Sequence, residues 1–181
     1  MSIPKRYENA KWEDVPDQIK ESFKKISSGG KGFYVTGKVG TGKTHICYAI
    51  KKFYDQPGKH TDNGFNPGRS LVVWNIVDLI NEIKTDFDRD SADKKRYDLE
   101  LSKTEKILIL DDIGAERITD FVEEKLYYLI NNRYINMLPT IFTSNFSITE
   151  LAGRIGERSA SRIVEMCDIF ELGGDDKRFS K

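Results

Sequence analysis

The eight residues 37–44, GKVGTGKT, follow the pattern G-x-x-x-x-G-K-[ST] of a phosphate-binding loop. Each position has a physical task. The glycines let successive backbone N–H groups curl around an anion, and the helix that follows aims the positive end of its dipole at the same point. Lys43 would reach the outer phosphates, and Thr44 offers a hydroxyl to Mg²⁺. Side chains at Gly40 or Gly42 would stand where the nucleotide must lie. The expected nucleotide-binding residues are Gly37, Val39, Gly40, Thr41, Gly42, Lys43, Thr44 and His45. The competing explanation is a glycine-rich turn before an ordinary helix. Context argues against it, because GFYVTG (Gly32–Gly37) reads as a short buried strand and 44–53 as the helix leaving the loop.

A P-loop enzyme also needs an aspartate at a strand end to hold its metal, and ILILDD (107–112) supplies one. Four apolar residues ending in acid suit a central parallel strand buried on both faces. Its carboxylates then emerge at the carboxyl end, where open α/β sheets bind ligands. Asp111, 68 residues after Lys43 with one strand–helix unit between, is the expected partner of Thr44 on Mg²⁺. Asp112 is placed to orient or deprotonate an attacking water. TIFTSN (140–145) is a further strand closing on polar Thr143, Ser144 and Asn145, a tip that can touch a γ-phosphate and its water. Arg154, Arg158 and Arg162 recur every four residues, which puts them on one face if 154–167 is helical. Such a stripe suits an anion or a subunit interface better than a core.

The remaining segments must position these groups. Residues 1–12 are polar and irregular, with Tyr7 and Trp12 as aromatics, and Val15, Ile19, Phe23 and Ile26 then fall at helical spacing. This flank admits two readings: a terminal helix packed on the core, or a cover for the base that the P-loop leaves to its neighbours. Residues 54–69, with two prolines and three glycines, form an unusually long loop. His60 lies there without a second ligand at metal spacing, and neither it nor His45 is assigned to a metal. A strand at 70–75 and an amphipathic helix over Ile76–Phe87 follow. Residues 88–106 are strongly charged, with a short helix as one option. Within them Lys94, Lys95, Arg96 and Tyr97 set cations beside an aromatic, which could track a phosphate backbone and stack a base, or form a solvated face. Residues 119–134 have helical character, with Asp120 and Glu123 at capping-box spacing. A last strand is expected at 168–172.

Composition narrows the class of molecule. The chain has 181 residues, enough for one well-filled core, and 29 basic residues balance 29 acidic ones, so a strongly basic nucleic-acid binder is not indicated. Cys47 and Cys167 are too few for a disulfide framework and suit buried thiols in a reducing compartment. No signal peptide or run of 18 apolar residues appears, and a cytoplasmic location away from membranes is the expectation.

The order GKVGTGKT, ILILDDIGAE, NNRY, PTIFTSN, GERSASRIVEM resembles the AAA+ ATPases of the DnaC-type helicase-loader group and their IstB-type relatives, over about residues 7–178. The resemblance implies an α/β P-loop NTPase three-layer sandwich with a five-stranded parallel sheet, ATP with Mg²⁺ at a subunit edge, and assembly into an open ring or spiral. It makes Lys43 and Thr44 the Walker A pair, Asp111 and Asp112 the Walker B acids, and Asn145 sensor 1. Arg162 becomes the arginine finger reaching a neighbour's ATP, with Arg158 as its fallback. Catalysis would then rest on Lys43, Asp112, Asn145 and Arg162. The region 76–101 is similar in position to the element that contacts single-stranded DNA in initiator-type AAA+ proteins, and Arg178 falls where a GxxxR-like ending would be. The implied partners are further copies of the chain, single-stranded DNA, and a replicative helicase or another DNA-handling protein.

The expected organisation is a flank and helix over 1–30 and an ATPase core over 31–181, within one domain. Against the family pattern, only some thirty residues precede the core strand, no helical lid fits after the fifth strand, and the second Walker B acid is Asp112 rather than Glu. Slow hydrolysis by a minimal switch is the expected consequence. An IstB-like helper of a transposase shares the same site, and a P-loop kinase for a small molecule is the alternative from a different class. The arginine spacing and TSN argue against the kinase.

Overall fold

The computed structural model describes residues 3–26, 31–56, 70–87, 97–104 and 106–174. Two 3₁₀ turns, Lys5–Tyr7 and Trp12–Asp14, lead into α1 (Asp17–Ile26). Then follow β1 (Gly32–Gly37), α2 (Lys43–Tyr54), β2 (Leu71–Asn75), α3 (Ile76–Phe87), α4 (Tyr97–Lys103) and β3 (Ile107–Asp111). The chain continues through α5 (Asp120–Ile135), β4 (Thr140–Ser144), α6 (Ile148–Ile155), α7 (Glu157–Met166) and β5 (Cys167–Leu172). All strand pairs are parallel, in the order β2-β3-β4-β1-β5. The expected five-stranded parallel sheet is present.

Strand alternation divides the core into two layers. Phe33 and Val35 of β1, Ile107 and Ile109 of β3 and Ile141 of β4 face α1 and α2, while Tyr34, Leu108, Leu110 and Phe142 face the layer of α3 to α7. Apolar surface on both faces explains why β3 opens on four consecutive apolar residues and why β1 and β4 carry the unbroken apolar runs FYV and IF. β5 is an edge strand and largely exposed.

Two local expectations need correction. The amino-terminal cap of α5 is Thr119, whose hydroxyl accepts from the Val122 N–H, so Asp120 is the first helical residue rather than the cap. The arginine stripe is also broken. Ser147 and Glu150 form a reciprocal capping box that starts α6, and Gly156, at φ 86°, ends it before α7 begins. A side chain at Gly156 would be strained and would lie 2.6 Å from the Glu123 carboxylate. Arg154 therefore belongs to α6, whereas Arg158 and Arg162 share α7.

Arg133 on α5 carries an uncommon burden. It is fully buried, and its guanidinium donates to the Thr140 hydroxyl and to the carbonyls of Leu101, Thr104, Lys106 and Pro139 at 2.6–3.2 Å. Burial pushes its pKa down to about 9. These bonds fasten α4, the start of β3 and the start of β4 to α5. Arg133→Ala is expected to cost roughly 3–5 kcal/mol, since it strands several buried acceptors at once. The change is read as a lowered denaturant midpoint with an unaltered m-value, and a loss under 1 kcal/mol would contradict the account.

Candidate functional site

The phosphate-loop residues sit at the carboxyl end of β1, with the tips of β4 and β3 beside them. Gly40 and Gly42 adopt left-handed conformations, φ 85° and 100°, and Gly42 caps α2. Lys43 is only 7 % exposed, and its Nζ donates to the carbonyls of Gly37 (2.6 Å) and Lys38 (2.8 Å). Thr41 is buried and bonds the Lys38 carbonyl through its hydroxyl, at 2.9 Å. A cleft of about 730 Å³ opens here, lined by Val39, Gly40, Gly42, Lys43, Thr44 and His45 from the loop and α2, and by Asp112, Thr143 and Asn145 from across it. That volume is in the range of small-molecule sites. Of the expected nucleotide-binding residues, Gly37 and Thr41 do not line it; they shape the loop from behind.

The acids are organised by β4. Thr143 donates its hydroxyl proton to Asp111 Oδ1 at 2.6 Å, and the same oxygen accepts from Thr44 (3.3 Å) and lies 3.6 Å from the Cys47 thiol. Burial, then the Asp111 charge, pushes the Cys47 thiol up, so it stays protonated and donates. Thr143 Oγ1 also accepts the Asp112 N–H at 2.9 Å. Asn145 Nδ2 donates to Asp112 Oδ1 at 2.7 Å. Partial burial raises the Asp112 pKa, the neighbouring Asp111 carboxylate adds to it, and Lys43 opposes them. Thr44 and Asp111 form an oxygen donor pair of the kind Mg²⁺ takes alongside phosphates.

The amino-terminal flank packs as a terminal helix and also reaches the cleft. α1 packs into the core through Ile19, Phe23 and Ile26, while Arg6, Tyr7 and Asp14 line the cleft. Tyr7 stacks on Tyr48 with ring centroids 4.8 Å apart, and Asp14 Oδ2 lies 2.8 Å from His45 Nε2. That hydrogen bond lowers the Asp14 pKa.

Arg162 does not line the cleft. Its guanidinium meets Asn131 Oδ1 (2.6 Å), the Arg158 carbonyl (2.9 Å) and the Tyr127 hydroxyl (3.2 Å), between the rings of Tyr127 and Tyr134. Lys94, Lys95 and Arg96 lie outside the described residues, as do 57–69 with His60, and Arg178; Tyr97 opens α4.

The sequence model of the IstB-like ATP binding proteins matches residues 28–181. The chain belongs to this family. Among relatives of this IstB-like protein, the replicative helicase loader DnaI of Bacillus subtilis is 30 % identical over 98 % of this chain and 56 % of its own length. The IstB-like chain spans about half the length of the curated relatives it matches. A crystal structure of the DnaC helicase loader superposes with a TM-score of 0.71 and 27 % identity, covering 94 % of this chain and 100 % of that one. AMPPCP-bound DnaA from Aquifex aeolicus has the same fold, at a TM-score of 0.71 and 17 % identity over 94 % of this chain and 52 % of that one. The fold of the IstB-like chain is that of the AAA+ P-loop ATPases. Among its described residues no helix is long and apolar enough to cross a membrane.

Sequence reasoning did not single out Thr143 as the residue tying both acids, nor Arg6, Tyr7 and Asp14 as cleft residues. Thr143 was visible as a polar residue on a buried strand. Its role depends on the register Leu110↔Phe142, which sets Thr143 beside Asp111.

Proposed function

We propose that this IstB-like protein is a Mg²⁺-dependent ATPase whose ATP-controlled assembly acts in DNA replication, on single-stranded DNA and a replicative helicase. The observation that carries the reading is the convergence of Lys43, Thr44, Asp112 and Asn145 on one cleft. Thr44 and Asp111 would hold Mg²⁺, which supplies charge neutralisation at the phosphates. Lys43 binds the outer phosphates. Asp112, with one carboxylate oxygen held by Asn145, orients the attacking water and takes its proton, and its raised pKa makes it a better base than an exposed aspartate. Tyr7, Arg6 and His45, which line the same cleft, would contact the base and ribose. Arg162 completes the site of a neighbouring copy. The 30 % identity to DnaI supports a helicase as partner, and the cations Lys94, Lys95 and Arg96 with Tyr97 support contact with single-stranded DNA.

The test is the size of the full chain in solution with a non-hydrolysable ATP analogue, with and without single-stranded DNA. Assembly that needs the analogue and is reinforced by DNA is the expected result, and replacing Lys94, Lys95 and Arg96 together by alanine should remove only the DNA effect. A chain that stays monomeric throughout would sink the assembly reading. The IstB-like membership favours one second reading, an ATPase helper of a transposase. Selective capture of a transposase over a helicase would establish it.

A further inference from the structure

The turn after β3 is clamped by two ionisable side chains that the reading above leaves without a role. The Gly114 N–H donates to Glu116 Oε2 at 2.9 Å, and the Gly114 carbonyl accepts from Arg154 Nε at 2.8 Å. Both bonds are charge-assisted, so each is stronger than an ordinary backbone contact. The turn itself is unusual. Asp112 has a left-handed backbone, φ 64°, a conformation that aspartate adopts more readily than most non-glycine residues. Gly114 is also left-handed, φ 92°, and a Cβ there would come within 2.9 Å of Leu151 and 3.0 Å of Phe146. The Ala115 N–H closes the turn on the Asp112 carbonyl at 3.1 Å.

Glu116 is 4 % exposed, and among the described residues its Oε1 has no hydrogen-bond partner. Burying a carboxylate this way is unfavourable, and burial raises its pKa against the pull of its backbone bonds and of Arg154. Arg154, exposed on α6, supplies the opposing half of the clamp. Its guanidinium lies 4.5 Å from the centre of the Phe146 ring. The Phe146 carbonyl is in turn bonded by Tyr34 (2.6 Å) and Thr36 (2.7 Å), which anchor the segment next to Asn145. Neither Glu116 nor Arg154 lines the cleft.

We propose that Glu116 and Arg154 are positioning residues for Asp112, gripping the two polar groups of Gly114 so that the turn keeps the Asp112 carboxylate on Asn145. This deepens the ATPase reading and rests on Asp112 as the water-orienting acid. Releasing the clamp lets the turn relax and carries the carboxylate out of line. Nucleotide binding, which depends on β1 and α2, is untouched.

The experiment compares the wild-type chain with Glu116→Ala, which removes the acceptor of the Gly114 N–H, Arg154→Ala, the double variant and Asp112→Asn, by steady-state ATP hydrolysis and by titration with a fluorescent ATP analogue. Each single clamp variant should lower kcat about 10-fold while the analogue Kd stays within about 2-fold, as misplacement of a reacting group would. The double variant should lose no more than the larger single loss, because both residues act through one peptide. Unchanged kcat in either single variant overturns the proposal, as does a double loss equal to the product of the two, or weakened analogue binding in parallel with kcat. A wild-type chain without hydrolysis, or an Asp112→Asn variant with full activity, overturns the assignment of Asp112 beneath it and the clamp with it. The Arg154 arm alone decides the matter if Glu116→Ala does not fold, since an exposed arginine can be removed without opening the core.

Discussion

Lys43→Ala is expected to weaken ATP binding by about 10²-fold or more and to abolish measurable hydrolysis. Two losses combine. The ammonium is almost completely buried, and it bonds the carbonyls of Gly37 and Lys38, so it holds the loop in its curled shape. It is also the cation that offsets the acids across the cleft, where it lowers the Asp112 pKa against burial and Asp111. Alanine removes the shape, the phosphate counter-charge and that offset in one step. Lys43→Met keeps most of the buried volume and should bind as poorly, because the charge and the donors matter rather than the packing. Titration with a fluorescent ATP analogue, alongside thermal unfolding to show that the fold persists, measures this. Binding within about 2-fold of wild type would remove Lys43 from the phosphate site.

How much of this site was legible depended on whether a feature was local in sequence. β1 and β3 are buried on both faces and bounded by glycine or acid, so their extents were readable to within a residue. The loop at 37–44 carries its chemistry in a single string. The break at Gly156 was missed because Arg154, Arg158 and Arg162 keep a helical interval through it, and equal spacing does not report a change of helix. The Ser147 and Glu150 capping box was the available signal for α6. Charged residues were the other blind spot. Arg133 and Glu116 have the composition of surface residues, and only the packing of α4, β3 and β4 around Arg133, and of the turn after β3 around Glu116, shows that they are buried. Glu116 falls inside the ILILDDIGAE string, yet nothing in that string says its oxygen lacks a partner.

Arg162→Ala is expected to lower hydrolysis by about 10³-fold while leaving nucleotide binding intact, the behaviour of an arginine that meets the transferring phosphoryl group from another subunit. The reasoning begins from where Arg162 is. It belongs to α7, away from the cleft, and its guanidinium is gripped by Asn131, the Arg158 carbonyl, and Tyr127 with Tyr134 on its faces. Every one of those contacts is to a neutral group, and among the described residues no carboxylate pairs with it directly. The cradle therefore fixes a cation in a planar orientation without cancelling its charge, which is what pre-organises a guanidinium for a phosphate presented from outside. A head-to-tail interface is the geometry that brings such a group to a second copy's cleft.

The decisive measurement is a mixture. Lys43→Ala subunits lack a working cleft but keep Arg162, and Arg162→Ala subunits keep the cleft but lack the arginine. If the arginine acts between subunits, random mixing pairs an intact cleft with an intact arginine at about one interface in four, so two inactive proteins should together recover about a quarter of wild-type hydrolysis. An arginine that serves only its own subunit predicts no recovery at any ratio. Full activity in Arg162→Ala alone, with loss in Arg158→Ala, would move the role one turn back along α7, because the two residues share that helix and its exposed side.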